Sequence, residues 1–168
     1  MSFQKVETET FSLKPFEAIG KQWTLISAAK GGVVNTMTAS WGGLGVLWGK
    51  NVVTVYIRPQ RYTRDFVDAG EYFTVTLFDG HKGALNVLGS KSGRDGDKIA
   101  EVGFHVETVE GQPTFAEGKT VLVCRKLYRD QIRRDKFMDP TLCRAMYPKI
   151  DYHFVYIAEV TAIYENEG

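Results

Sequence analysis

The chain has 168 residues, 43% of them hydrophobic, which suffices for one domain with a buried core, expected to span residues 1–168. Its 21 basic and 20 acidic residues leave a net charge of +1, without the broad positive field of a non-specific nucleic-acid binder. No run approaches the roughly 20 apolar residues that cross a bilayer, the first residues lack a signal-peptide core, and Cys124 and Cys143 form neither a CxxC nor a disulfide framework, so a soluble cytoplasmic protein is expected.

Most of the chain reads as strand. If residues 33–41 are extended, Thr36, Thr38 and Ser40 share one face, and Asn35, Met37, Ala39 and Trp41 the other. Residues 51–58 alternate, with Val53, Val55 and Ile57 opposite Thr54, Tyr56 and Arg58. Thr63 has the chemistry of an N-cap for a helix over residues 64–69, with Tyr62 and Val67 spaced for a hydrophobic staple and Gly70 for the stop. Residues 71–78 alternate again, setting Phe73, Val75 and Leu77 against Tyr72, Thr74 and Thr76. Ala84, Leu85 and Leu88 carry helical spacing. Residues 119–128 and 153–164 are β-branched and aromatic-rich. Several strands with a few short helices predict a mainly β fold, a closed or partly closed antiparallel barrel that hides its strand edges.

Two runs carry chemistry. Asn35-Thr36-Met37-Thr38-Ala39-Ser40-Trp41 is a row of hydroxyls and amides ending in an indole. Small side chains at Ala39 and Ser40 let a ligand reach the backbone, and Trp41 can cover a ring. The same residues also make an ordinary strand with Trp41 in the core. In Ile57-Arg58-Pro59-Gln60-Arg61-Tyr62-Thr63, two guanidiniums can fork onto phosphate oxygens and a helix start adds amides and a hydroxyl. Taken alone, this is equally a solvated basic turn. Together, with one strand between them, the two runs favour an aromatic cofactor that carries a phosphate, and flavin mononucleotide (FMN) combines both.

These runs, in order with Ser92-Gly93-Arg94-Asp95-Gly96-Asp97-Lys98 and with Asp151-Tyr152-His153 followed by Ala158-Glu159-Val160, resemble the flavin reductase-like family, flavoredoxins included. The resemblance extends from about residue 23 to residue 160. It implies an FMN-binding split β-barrel and a homodimer with non-covalent FMN near the subunit interface. By position-for-position match, Asn35, Met37, Thr38, Ala39, Ser40 and Trp41 line the ring and ribityl chain. Arg58, Arg61, Tyr62 and Thr63 surround the phosphate and ribityl end, and Ser92, Gly93, Arg94 and Lys98 close the site. The Ser92–Lys98 segment is also ordinary polar-turn composition. Family members often have glycine at the position of Ala158, so the last strand is expected to pack differently around an added methyl.

His153 is the candidate catalytic residue, as a proton or hydrogen-bond donor beside the flavin. The alternative is a strand-end histidine that faces solvent or meets a carbonyl. His81 and His105 lack partners at metal-ligand spacing, so no metal site is expected. The chain contains no G-x-G-x-x-G after a strand, no Walker sequence, no G-x-S-x-G and no H-E-x-x-H. NAD(P)H is therefore expected as a transient co-substrate over the flavin, with electrons leaving to a small-molecule or protein acceptor. An electron-transfer protein that does not oxidise NAD(P)H, and a flavin-free ligand-binding barrel, are the other readings.

Overall fold

Ten strands form the frame of the computed structural model, which describes residues 2–167. They are β1 (Phe3–Val6), β2 (Thr24–Lys30), β3 (Val33–Ala39), β4 (Gly42–Leu47), β5 (Lys50–Ile57), β6 (Tyr72–Leu77), β7 (Val106–Val109), β8 (Gln112–Phe115), β9 (Thr120–Gln131) and β10 (Phe154–Asn166). The helices are short: α1 (Pro15–Glu17), which continues as a π-type turn (Ala18–Gln22), α2 (Thr63–Ala69), α3 (Lys82–Ser90), α4 (Lys98–Glu101) and α5 (Pro140–Met146). Among the described residues, no helix is long and apolar enough to cross a membrane.

The main sheet is antiparallel throughout and runs β3-β2-β6-β9-β10-β5-β4, with β1 added alongside β10. Its two ends, β3 and β4, are consecutive in the chain and joined only by Ser40 and Trp41. Seven strands laid flat at about 4.8 Å spacing would hold their edges almost 30 Å apart. Three Cα steps from Ala39 to Gly42 reach at most about 11 Å. The sheet must therefore curl until its edges converge at Ser40 and Trp41, which makes a barrel with a split between β3 and β4. Register shifts in β10 after Ile157 and after Val160 supply the extra bend, and they let β10 pair with β5, β9 and β1 along its length.

Alternation in β5 is as expected, with Val53, Val55 and Ile57 buried in the barrel beside Ile26, Phe73, Leu122 and Tyr156. The alternation in β6 hides a second buried face. Thr74 and Thr76 are buried because the β7–β8 hairpin covers them, with Thr74 Oγ1 donating to the Pro113 carbonyl at 2.6 Å and Thr76 Oγ1 lying 3.0 Å from Thr114 Oγ1. Ala158 is fully buried next to the first β10 shift, so its methyl is part of the core. A second cluster, Leu25, Phe78, Leu85, Leu88, Ile99, Phe104 and Phe115, joins α3 and α4 to β2 and to the segment after β6.

The start of α2 differs from the sequence expectation. Thr63 is its first helical residue and makes no cap; Tyr62 precedes it in helical conformation. Consecutive turns, with Arg61 N donating to the Arg58 carbonyl, Arg64 N to that of Arg61 and Asp65 N to that of Tyr62, wind the chain before the helix begins. Tyr62 then packs edge-on against Phe66 at 4.9 Å rather than forming a staple with Val67.

Candidate functional site

The elements that meet at the split form three cavities in a row. β3 pairs with β2 on one side only, so its other edge offers backbone donors and acceptors. Next to that edge is a cavity of about 390 Å³, the middle one, lined by Met37, Thr38, Ala39, Ser40 and Trp41, together with Tyr56, Arg58, Gln60, Arg61 and His153. At one end it shares Met37, Gln60 and Arg61 with a pocket of about 180 Å³, which is also lined by Asn35, Tyr62, Thr63, Ser90, Lys91, Ser92, Gly93 and Lys98. At the other end it shares Ser40, Trp41, Tyr56 and His153 with a cavity of about 670 Å³.

The smallest pocket is cationic for a structural reason. The α3 carbonyls have no helical partners at its C-terminal end, where the helix dipole favours positive charge. Arg61 Nη1 donates to the Gly89 carbonyl at 2.6 Å, and Lys98 Nζ donates to the carbonyls of Leu88 at 2.7 Å and Lys91 at 3.0 Å. Among the described residues, no carboxylate forms an ion pair with either cation. Lys98 is 5% exposed, and burial followed by the charge of Arg61 lowers its pKa to about 8. Burial first, and Arg58 second, also hold Arg61 below its ordinary value. Two desolvated cations thus line the pocket with no carboxylate partner among the described residues.

The remaining residues of this end divide into ligand-facing groups and supports. Thr63 is buried, and its Oγ1 accepts from Asn35 Nδ2 at 2.9 Å, which leaves the Thr63 hydroxyl proton to donate into the pocket. Arg94 does not line the pocket. It ties the 91–97 loop to α2, with Nη2 3.2 Å from Asp65 Oδ2, Nη1 donating to the Gln60 carbonyl at 3.2 Å and the guanidinium 4.4 Å above the Tyr62 ring. Ser92 lines the pocket, and its Oγ accepts from Arg94 N at 3.1 Å. Gly93 is required by close approach, since a Cβ there would sit 2.2 Å from Asn35 Oδ1. Gly93→Ala is expected to push Asn35 off Thr63 and weaken anion binding about tenfold, the cost of one disturbed hydrogen bond at the site. Isothermal titration with inorganic phosphate checks this.

Arg58 is placed apart from Arg61. Its Nη1 lies 2.9 Å from Asp151 Oδ2, its Nη2 donates to the Met146 carbonyl at 3.2 Å, and the guanidinium stands 5.1 Å over the Tyr147 ring. It reaches the middle cavity but not the cationic pocket. Gln60 Nε2 donates to the same Asp151 oxygen at 2.9 Å. This network fastens the segment after α5, which carries Tyr147 and His153.

His153 is buried, which removes the solvent-facing alternative. It directly precedes β10, its Nδ1 is 2.7 Å from Tyr147 Oη, and its ring lies 5.3 Å from Trp41, 5.5 Å from Tyr147 and 6.4 Å from Tyr56. Burial, then the positive charge of Arg58, lowers its pKa to about 4. At neutral pH it is an uncharged imidazole with one N–H to donate. Trp41 is 48% exposed at the cavity wall, so it is not a core residue. Thr36 points elsewhere, with Oγ1 bonded to the Ile26 carbonyl and near Ser27 Oγ, and Thr38 Oγ1 donates to the Leu85 carbonyl.

Gln60, Ser90, Tyr56, Tyr147 and Asp151 belong to this site but were not among the sequence candidates. Tyr56 lay on the alternating strand and Gln60 inside the basic turn, so both were readable in principle. Tyr147 and Asp151 reach the site through contacts that link distant segments.

A family model described as flavin reductase like domain matches residues 16–168, and the chain belongs to that family. No curated protein sequence matches it. Among solved structures, it is similar to the FMN-binding domain of a flavin reductases-like enzyme from Shewanella baltica, at 20% identity and TM-score 0.70, over 98% of this chain and 77% of that one. A flavoredoxin from Methanosarcina acetivorans is 21% identical with TM-score 0.66, over 87% of this chain and 69% of that one. The styrene monooxygenase flavin reductase from Pseudomonas putida is 18% identical with TM-score 0.65, over 88% and 80% respectively. The fold is that of the FMN-binding split barrels.

Proposed function

We propose that this chain is an FMN-dependent oxidoreductase that takes electrons from NAD(P)H and passes them to an acceptor. The observation that carries the reading is the cationic pocket without carboxylates, opening onto a cavity flanked by the free edge of β3. The donor set suits FMN at both ends. Arg61, Lys98, Thr63 and Ser92 meet a phosphate, supported by Asn35, Gly93 and the Arg94–Tyr62 stack. Met37, Thr38, Ala39, Ser40 and Trp41 supply a mixed polar and apolar wall for a flat ring. FMN, when bound, supplies reversible electron chemistry that protein side chains lack. His153, oriented by Tyr147 and uncharged above about pH 4, acts as a hydrogen-bond donor rather than as an acid.

A second reading is an FMN-binding electron carrier without NAD(P)H oxidation. In its favour, among the described residues no lysine or arginine lines the 670 Å³ cavity, so the charged pyrophosphate of a dinucleotide would find no partner there. In either reading we propose a homodimer. Phe16, Val46 and Trp48 are 92%, 73% and 58% exposed, and β4 is a free edge, as suits a surface covered by a second copy.

The test is a visible spectrum of the purified protein, before and after anaerobic NADH and NADPH. Flavin bands that bleach support the oxidoreductase. Bands that persist favour the carrier. A protein that stays colourless after incubation with FMN overturns both.

A further inference from the structure

The 670 Å³ cavity adjoins the middle one, and its chemistry differs from that of the phosphate end. Phe16, Ile19, Trp41, Leu44, Tyr56 and Tyr147 form most of its wall, and Gly20, Gly42 and Gly43 contribute backbone without side chains. Its volume is that of a small-molecule site, and among the described residues no lysine, arginine, aspartate or glutamate lines it. The polar side chains of its wall are Ser40, Tyr56, Tyr147 and His153. Ser40 stands at the junction with the middle cavity, and the Tyr147 hydroxyl and His153 imidazole are joined at 2.7 Å. Since His153 is uncharged above about pH 4, this end offers hydrogen bonds without net charge. A charged ligand would lose its hydration here and gain no counter-ion. A flat aromatic ligand would keep aromatic contacts on several sides, where ring pairs at offset or perpendicular angles are favoured.

The geometry points to this cavity as a binding site for an uncharged aromatic compound of two or three fused rings, its one polar substituent directed at Tyr147 and His153. The inference rests on the proposed FMN reading for its functional meaning. Because the two cavities share Ser40, Trp41, Tyr56 and His153, such a ligand would sit in contact with whatever occupies the middle cavity.

The experiment is isothermal titration of flavin-free and FMN-incubated protein with 2-naphthol and with 2-naphthoate, which differ mainly in charge at neutral pH. Binding of 2-naphthol, with 2-naphthoate at least about tenfold weaker, is expected in both preparations. Gly43→Leu supplies the control. A Cβ at Gly43 meets nothing within 4 Å, and Gly43 lines this cavity and not the middle one. The variant is expected to lose 2-naphthol affinity at least about tenfold while taking up FMN, read from the flavin absorbance, like the parent chain. Equal or tighter binding of 2-naphthoate, no binding of 2-naphthol, or unchanged 2-naphthol affinity in Gly43→Leu overturns the inference. Those results leave the FMN reading standing if the protein is yellow. A protein that takes up no FMN but shows the expected naphthol pattern fails the FMN reading and keeps the cavity assignment.

Discussion

Arg61→Ala is expected to weaken FMN binding about one hundredfold, whereas Arg58→Ala weakens it less than about tenfold. The two arginines are three positions apart and look interchangeable in sequence, but their surroundings assign them different work. Arg61 lines the cationic pocket, has no carboxylate partner among the described residues and spends one donor on the Gly89 carbonyl, so its other donors remain for an anion. Each charge-assisted hydrogen bond lost is worth about 1.5–3 kcal/mol, and one or two of them give the hundredfold figure. Arg58 is already neutralised by Asp151 and bonded to the Met146 carbonyl. Its removal leaves Asp151 with Gln60 and loosens the segment that carries Tyr147 and His153. Fluorescence titration of FMN against both variants, each checked for an unchanged circular-dichroism spectrum, measures the difference. Equal losses would contradict the division of roles.

The affinity for FMN is expected to fall about tenfold between about pH 7 and about pH 9, and Lys98→Met is expected to flatten that profile at the weaker level. Lys98 titrates near 8 in the flavin-free protein, well below its ordinary value of 10.5, because it is buried beside Arg61. A bound phosphate favours the protonated amine, so binding above about pH 8 must also take up a proton. The sign for stability is opposite to that of a paired lysine. Below about pH 8 the folded protein carries the full penalty of a buried charge. As pH rises from about 8 to 10.5, the unfolded chain holds a proton that the folded one has lost, and this penalty disappears. An anion in the pocket offsets the same penalty at neutral pH, so FMN should raise the melting temperature more at pH 7 than at pH 9. Titration at several pH values, in the parent chain and in Lys98→Met, checks both statements. A flat profile in the parent chain would mean that Lys98 does not meet the phosphate.

Much of the frame was legible because its determinants are local. The alternation of Val53, Val55 and Ile57 specified β5, and the spacing of Leu85 and Leu88 marked α3. Both faces of β6 are buried because a hairpin some forty residues further on covers Thr74 and Thr76, and strand periodicity carries no trace of that. The site was half legible for the same reason. The run of residues 35–41 and the basic turn were recognisable by residue type, and β5 brings them together. Which arginine stays free depends on Asp151, far away in sequence, and on where the C-terminal end of α3 presents its carbonyls. Thr63 had cap chemistry, but the successive turns over residues 58–65 carry the chain into the helix through it and make it a buried helical residue bonded to Asn35. His153 stood out as a titratable group at the start of a strand. Its burial against Trp41, Tyr56 and Tyr147 makes it a neutral donor, a distinction set by packing.

The most direct measurement compares FMN with riboflavin, which has the same ring and ribityl chain but lacks the phosphate. Flavin-free protein at pH 7 is titrated with each, and the dissociation constants are read from flavin fluorescence. If Arg61 and Lys98 form a phosphate site, FMN binds at least about one hundredfold more tightly than riboflavin. Equal affinities, or no affinity for either, would contradict the account.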